Sequence, residues 1–238
     1  MKTIEQIHAR LQQITIYPAG VHPVVGRIAG TAFFPGGDGL WKEEGLNDDL
    51  SIGGIMVVGH NFDNVSGFQQ SLARGSEPVR CATWRNITAL LREANIDLIR
   101  CFFTNVYVGL METASNVGKF PGAKSASFRQ QCVEFLQQQI TLQQPSLILT
   151  LGAYVPPLIA SLSPQLASWH GIQRVGQLDA NQTALVKQAA FCAGRVHANV
   201  LALTHPAQRH LNVGRRHYRD VTGHAAELAL LKAAQQSV

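Results

Sequence analysis

No stretch of the chain approaches the ~18 consecutive apolar residues of a membrane-crossing helix, so no transmembrane segment is expected. Cysteine is scarce, with four residues in 238 (Cys81, Cys101, Cys132 and Cys192) and no CxxC pair. That spacing supports neither a zinc site nor an iron–sulfur cluster. The thiols read as small apolar residues, and no metal or other cofactor is expected. No GxSxG elbow is present, which disfavours acyl transfer, and no GxxxxGK[ST], which disfavours a P-loop NTPase. The glycines of AGTAFFPGGDG lack the strand–GxGxxG–helix setting of a dinucleotide site. The start, MKTIEQIHARLQQ, reads as an amphipathic helix without the apolar centre of a signal peptide, so a cytoplasmic protein is expected.

Charge is also sparse, at 15% against 46% hydrophobic residues, which is a globular composition and not a disordered one. A chain of this length can bury roughly 70% of its unfolded surface in a single core. The net charge of +5 is unevenly spread. Glu43, Glu44, Asp48 and Asp49 make the early part acidic. Between Asp179 and Asp220 no carboxylate occurs, while Lys187, Arg195, Arg209, Arg215, Arg216 and Arg219 do. A stretch of one sign suits a polyanionic partner, because Arg and Lys contacts to phosphate release counterions.

Four apolar runs read as strands: GGIMVVG (53–59), LIRCFFTN (98–105), SLILTLG (146–152) and ANVLALTH (198–205). Most lack alternation, as expected for parallel strands covered on both faces. Helical patterns lie between them. In 83–95, opening with a Thr cap, Trp84, Ile87, Leu90 and Leu91 share one face; in 125–143, Phe128, Cys132, Phe135 and Leu136 do. Further helices are expected near Ala153, over part of 180–193, and from about 219 to 235. The alternation predicts one α/β domain spanning 1–238: a three-layer α/β/α sandwich around a mainly parallel, four-stranded sheet. Residues 1–50 read as a helix and a long irregular arm.

In an open α/β sheet, ligands sit beyond the carboxyl ends of the strands. The ends here are Gly59-His60-Asn61-Phe62-Asp63, Thr104-Asn105-Val106-Tyr107, Gly152-Ala153-Tyr154 and Thr204-His205-Pro206. Singly, Asn61 reads equally as a turn cap, Asn105 as a strand closure and His205 as a structural histidine. Together, two amides and an imidazole at one sheet edge make a small polar recognition site.

The order of these strand ends resembles the uracil-DNA glycosylase superfamily over roughly residues 50 to 220. GHNFD (59–63) is similar to the family's first motif, closest to its Asn-bearing mismatch-specific and single-strand-selective branches. FFTNVYVGL (102–110) is similar to the strand with a base-reading Asn, and THPAQRHLN (204–212) to the HPS-type second motif. The resemblance implies that Asn61 holds the attacking water, Asn105 reads the base edge, and His205 supports the leaving base. Gly59 and His60 would border the base. Pro206, Ala207, Gln208, Arg209, His210, Arg215 and Arg216 would contact DNA and wedge the duplex while a nucleotide flips out. Phe62-Asp63 replaces the motif's Pro-Gly, so Asp63 either competes with Asn61 for the role of water activator or is a solvated turn residue. Phe62 and Phe68 compete as the platform stacked on the base, and either reads also as a core residue. Ala207 stands where the second motif carries Ser. The implied activity is excision of uracil or a related deaminated base by a monomer whose partner is DNA. The alternatives are a catalytically weakened nucleic-acid-binding module of the same fold and an enzyme acting on free nucleosides.

Overall fold

The four apolar runs form the parallel part of a central sheet in a computed structural model that describes residues 2–42, 47–112 and 119–236. Glu43 and Glu44 of the early acidic cluster lie outside the described residues. Helix α1 (Thr3–Leu11) leads into an arm carrying strand β1 (Val21–His22), and the sheet begins at β2 (Ile55–Asn61). Helices α2 (Val65–Arg74) and α3 (Ala82–Glu93) carry the chain to β3 (Cys101–Tyr107). Beyond it, β4 (Leu110–Met111) pairs with β1, and α4 (Ala126–Gln143) crosses to β5 (Leu147–Leu151). The short helices α5 (Pro156–Ile159) and α6 (Val175–Ala180) precede β6 (Leu185–Phe191) and β7 (Val196–Leu203). The chain ends with α7 (Arg209–Asn212), the pair β8 (His217–Tyr218) and β9 (Val221–Thr222), and α8 (Gly223–Gln235).

The strand order is β3-β2-β5-β7-β6, parallel except for β6, which runs antiparallel to β7. Helices cover both faces, giving the three layers expected. Phe103 meets Trp84 of α3 at 4.9 Å between ring centroids, while the next residue, Thr104, donates its hydroxyl to Gln139 of α4 at 2.6 Å. Consecutive side chains of a strand point to opposite faces, so α3 and α4 lie on opposite sides of the sheet. Helix α8 joins the α3 layer, where the Gln235 amide donates to the Ala94 carbonyl at 3.1 Å. The predicted apolar stripes of α3 and α4 are buried against the sheet.

Three local expectations are corrected. The sheet has five strands, because 185–191 is an edge strand and not part of a helix. A register shift between Val186 and Ala189, with Gln188 at φ 51°, breaks the alternation that marks a strand. The second run starts its strand at Cys101, because the Asp97 carboxylate caps a 3-10 turn over Leu98–Arg100. Cys81, not Thr83, occupies the N-cap of α3. The arm adds to the far edge of β3: Phe34 N–H donates to Phe103 O at 2.9 Å, and Phe103 N–H to Gly39 O at 2.7 Å. It thereby covers the unpaired backbone of an edge strand.

Candidate functional site

The sheet register brings the expected strand ends to one edge. Gly59 lies opposite Asn105, Asn61 opposite Tyr107, and Leu151 opposite Leu203, so His60, Asn61, Gly152 and His205 follow at adjacent ends. His205 is extended (φ −63°, ψ 124°), as the following Pro206 requires. Its ring rests against Gly152, where an added Cβ would stand 3.0 Å from His205 Cβ. Gly152 has φ +80°, so both its backbone and the neighbouring ring call for glycine. Burial lowers the His205 pKa, which keeps the ring neutral at neutral pH. Its Nδ1 is buried without a hydrogen-bond partner.

His60 stands beside it. Its Nδ1 lies 3.1 Å from Asn61 Oδ1, and since that oxygen only accepts, Nδ1 carries the hydrogen. Tyr154 faces the ring at 5.0 Å, Tyr107 meets it edge-on at 5.3 Å, and Phe120 lies at 6.4 Å. Burial pushes the His60 pKa down to about 4; the Asn61 bond opposes this and His205 adds to it. Both imidazoles are therefore uncharged at pH 7. Asn105 is buried, and its amide donates to the Phe34 carbonyl at 2.7 Å. Its Oδ1 lies over Gly59, where a Cβ would approach to 2.4 Å. One N–H of the amide is thus committed to the arm, which narrows the two-way base reading expected of it.

The Phe platform and the carboxylate alternative are both redirected. Phe68 is buried in a satellite core with Ile28, Ala32 and Leu110, so it cannot stack on a ligand. Phe62 packs edge-on to Phe68 at 5.8 Å and lies over Gly36 of the arm. The rings around His60 are instead Tyr107, Tyr154 and Phe120. The first two stand at strand ends in the sequence, whereas Phe120 gave no signal. Asp63 accepts the Asn64 N–H at 2.7 Å and packs against Gly67, so its carboxylate serves the amino end of α2. Asn64 caps the same helix by accepting the Gly67 N–H.

The basic stretch divides into separate places. Arg216 is 1% exposed and forks onto Asp179 at 2.8 and 3.0 Å, with a third bond to Glu227 at 3.0 Å. Arg209, its side chain 14% exposed, pairs with the other oxygen of Glu227. Pro206 is buried and accepts from the Asn86 amide of α3 at 2.8 Å. Arg216 and Pro206 are thus buried in the fold and closed to DNA, and Arg209 is drawn inward by Glu227. Arg195 lies in the turn before β7, at the end of that strand away from His205. Gln208, His210 and Arg215 remain exposed, Ala207 is half-buried, and Leu211 projects with 59% exposure. Because Asn86 grips Pro206, α3 brings the exposed Arg85 into the neighbourhood of this loop, a residue the sequence did not single out.

Glu77 was also unforeseen, since GSEPVR reads as a polar loop. Burial pushes its pKa up to about 7 and the Asp63 charge adds to this, while N–H groups of Trp84 and Phe33 oppose it. Among the described residues, no group of three His, Cys, Asp or Glu gathers as metal ligands, and no helix is long and apolar enough to cross a membrane. No family model and no curated protein matches the chain.

Two predictions arise here. Arg216→Met removes the buried cation that Asp179 and Glu227 share, leaving Asp179 unpaired and Glu227 with Arg209 alone, and should cost about 3–5 kcal/mol, whereas Arg215→Ala should leave stability within about 0.5 kcal/mol of wild type. Urea unfolding of both variants measures the contrast. The folded chain holds the Glu77 proton up to about pH 7, against a usual carboxyl value of 4.5. Between those values the folded state binds more protons, so stability falls as pH rises. Glu77→Gln should remove that slope, and unfolding midpoints of the two proteins from pH 4 to 8 would then converge at the acid end only.

Proposed function

We propose that the chain is a DNA glycosylase-like hydrolase that cleaves the N-glycosidic bond of a flipped uracil or related deaminated base. The observation that carries this reading is His205 Nδ1, buried and unpartnered, beside Asn61 and His60 at one sheet edge. A neutral imidazole in a sheltered site donates an N–H to the base as negative charge develops on it, and that interaction strengthens as the bond breaks. Asn61 N–H groups hold the water that attacks C1′. Asn105 retains one N–H and its Oδ1 for the base edge. Outside the site, Leu211 supplies the apolar wedge that enters the base stack, with Gln208 and His210 beside it and Arg215 on phosphate. On this reading the protein is cytoplasmic and monomeric, its partner is DNA, and no cofactor takes part.

A second reading is a nucleic-acid-binding module with weakened catalysis. Ala207 favours it, because it lacks the hydroxyl of the second motif, and so does the commitment of the Asn105 amide to Phe34.

Release of free uracil from single-stranded, U:G and U:A oligonucleotides separates the two. His205→Ala should lower single-turnover release by roughly 10²–10³-fold, the cost of losing one donor to a developing anion. Asn61→Ala should also lower it. Salt-dependent DNA binding by wild type with no abasic product, even at stoichiometric enzyme, would establish the binding module instead. Leu211→Ala should weaken release from duplex substrates more than from single strands, because only a duplex has to be wedged open.

A further inference from the structure

The first motif places an imidazole directly before Asn61, and their side chains are bonded to each other. Asn61 Oδ1 accepts the His60 Nδ1–H at 3.1 Å. That bond fixes the tautomer, leaving Nε2 of His60 with its lone pair. Asn61 itself is too weak a base to take a proton, although its N–H groups can hold a water oxygen. Asp63, the other acceptor in the motif, is turned to the amino end of α2. Among the described residues, the groups facing His60 are Asn61 on its own strand, Tyr107 of β3, Phe120, Tyr154 after β5 and His205 after β7. None is a carboxylate, and burial pushes the Tyr107 hydroxyl up to about 12, so it stays neutral.

We infer that His60, oriented by Asn61, is the base that takes the proton of the attacking water. This assignment rests on the glycosylase reading and names the group that completes it. In the step, the C1′–N bond breaks and its electron pair leaves with the base, where the His205 N–H meets the charge. The water oxygen forms the new C1′–O bond, and its proton passes to His60 Nε2. The products are the abasic sugar hydroxyl, the base anion and the His60 imidazolium. The anion then accepts a proton from the imidazolium, which regenerates the neutral pair. A weak base suffices, because the electrophile is an oxocarbenium-like carbon and the attacking water grows acidic as the C–O bond forms.

The test is single-turnover uracil release from a single-stranded oligonucleotide between pH 3.5 and 8. In wild type the rate should be level above pH 5 and fall below about 4 as His60 becomes protonated. The midpoint should coincide with the His60 titration followed by ¹⁵N imidazole NMR, which requires no variant. His60→Gln should slow release by roughly 10²-fold or more and abolish the acid limb, with a melting temperature close to wild type. His60→Ala should recover activity in proportion to the free base of added imidazole, a response that a packing role would not produce. Wild-type rates whose acid limb departs from the His60 titration, or a His60→Gln protein that keeps both rate and limb, would overturn the assignment while leaving the glycosylase reading in place. If wild type releases no uracil at any pH, both fall together.

Discussion

The end of β7 is fixed by a carboxylate with no access to solvent. Glu227 of α8 accepts the Thr204 backbone N–H at 2.6 Å, the Thr204 hydroxyl at 2.7 Å and Arg216 Nη1 at 3.0 Å through one oxygen. Its other oxygen pairs with Arg209. Arg216 in turn holds Asp179 of α6 and the Ala202 carbonyl of β7. Two cations and two anions thus neutralise each other under the strand end, and His205 is the next residue after Thr204. Desolvating such a group is expensive, and an apolar replacement of all four side chains would cost little or even stabilise. What an apolar core could not do is set the direction in which the chain leaves the sheet. Hydrogen bonds to the Thr204 N–H, the Thr204 hydroxyl and the Ala202 carbonyl act on named atoms, so they fix orientation as well as burial.

The same network governs the loop. Arg209 and Arg216 bracket residues 210–215, and both are drawn inward by Glu227. Helix α3 clasps the other side through Asn86 and Pro206, and Glu93 of that helix meets His224 of α8 at 2.8 Å. Leu211 is therefore exposed on a segment anchored at both ends and is not carried on a free loop. An apolar side chain held this way loses little further entropy when it enters another surface.

How much of this was legible in the residues follows from the kind of signal each part leaves. Long apolar runs announce buried parallel strands, so the sheet and the identities at its carboxyl edge could be read directly. The edge strand β6 could not, because Lys187 and Gln188 sit at a bulge and imitate a polar helix face. Arg209 and Arg216 looked like phosphate ligands because their carboxylate partners lie far away in sequence: Asp179 is 37 residues before Arg216, and Glu227 is 11 after it. Linear charge density carries no information about such pairing. The places of Asp63 and Glu77 were beyond the sequence for the same reason, since helix capping and burial are decided by tertiary contacts. The His60–Asn61 bond was within reach of the sequence only as adjacency, because neighbours in a strand normally point to opposite faces. Here they meet at the point where β2 ends.

The electrostatic character of the site bears on what it can accept. Among the described residues, the groups packed around His60 include no carboxylate, and the one acidic side chain of the motif is turned to the amino end of α2. In the proposed glycosylase step, a carboxylate facing the bond would assist a water but would also repel the departing anion. In the proposed step, one of the two neutral imidazoles would receive a proton while the other donated an N–H, so positive charge would appear only as negative charge leaves. The His205 ring adds to the burial that disfavours charge on His60, so in the proposed step the proton would return to the anion instead of remaining in the site. In that proposed step, the low basicity that burial imposes on His60 would also make its conjugate acid a ready donor to the departing base.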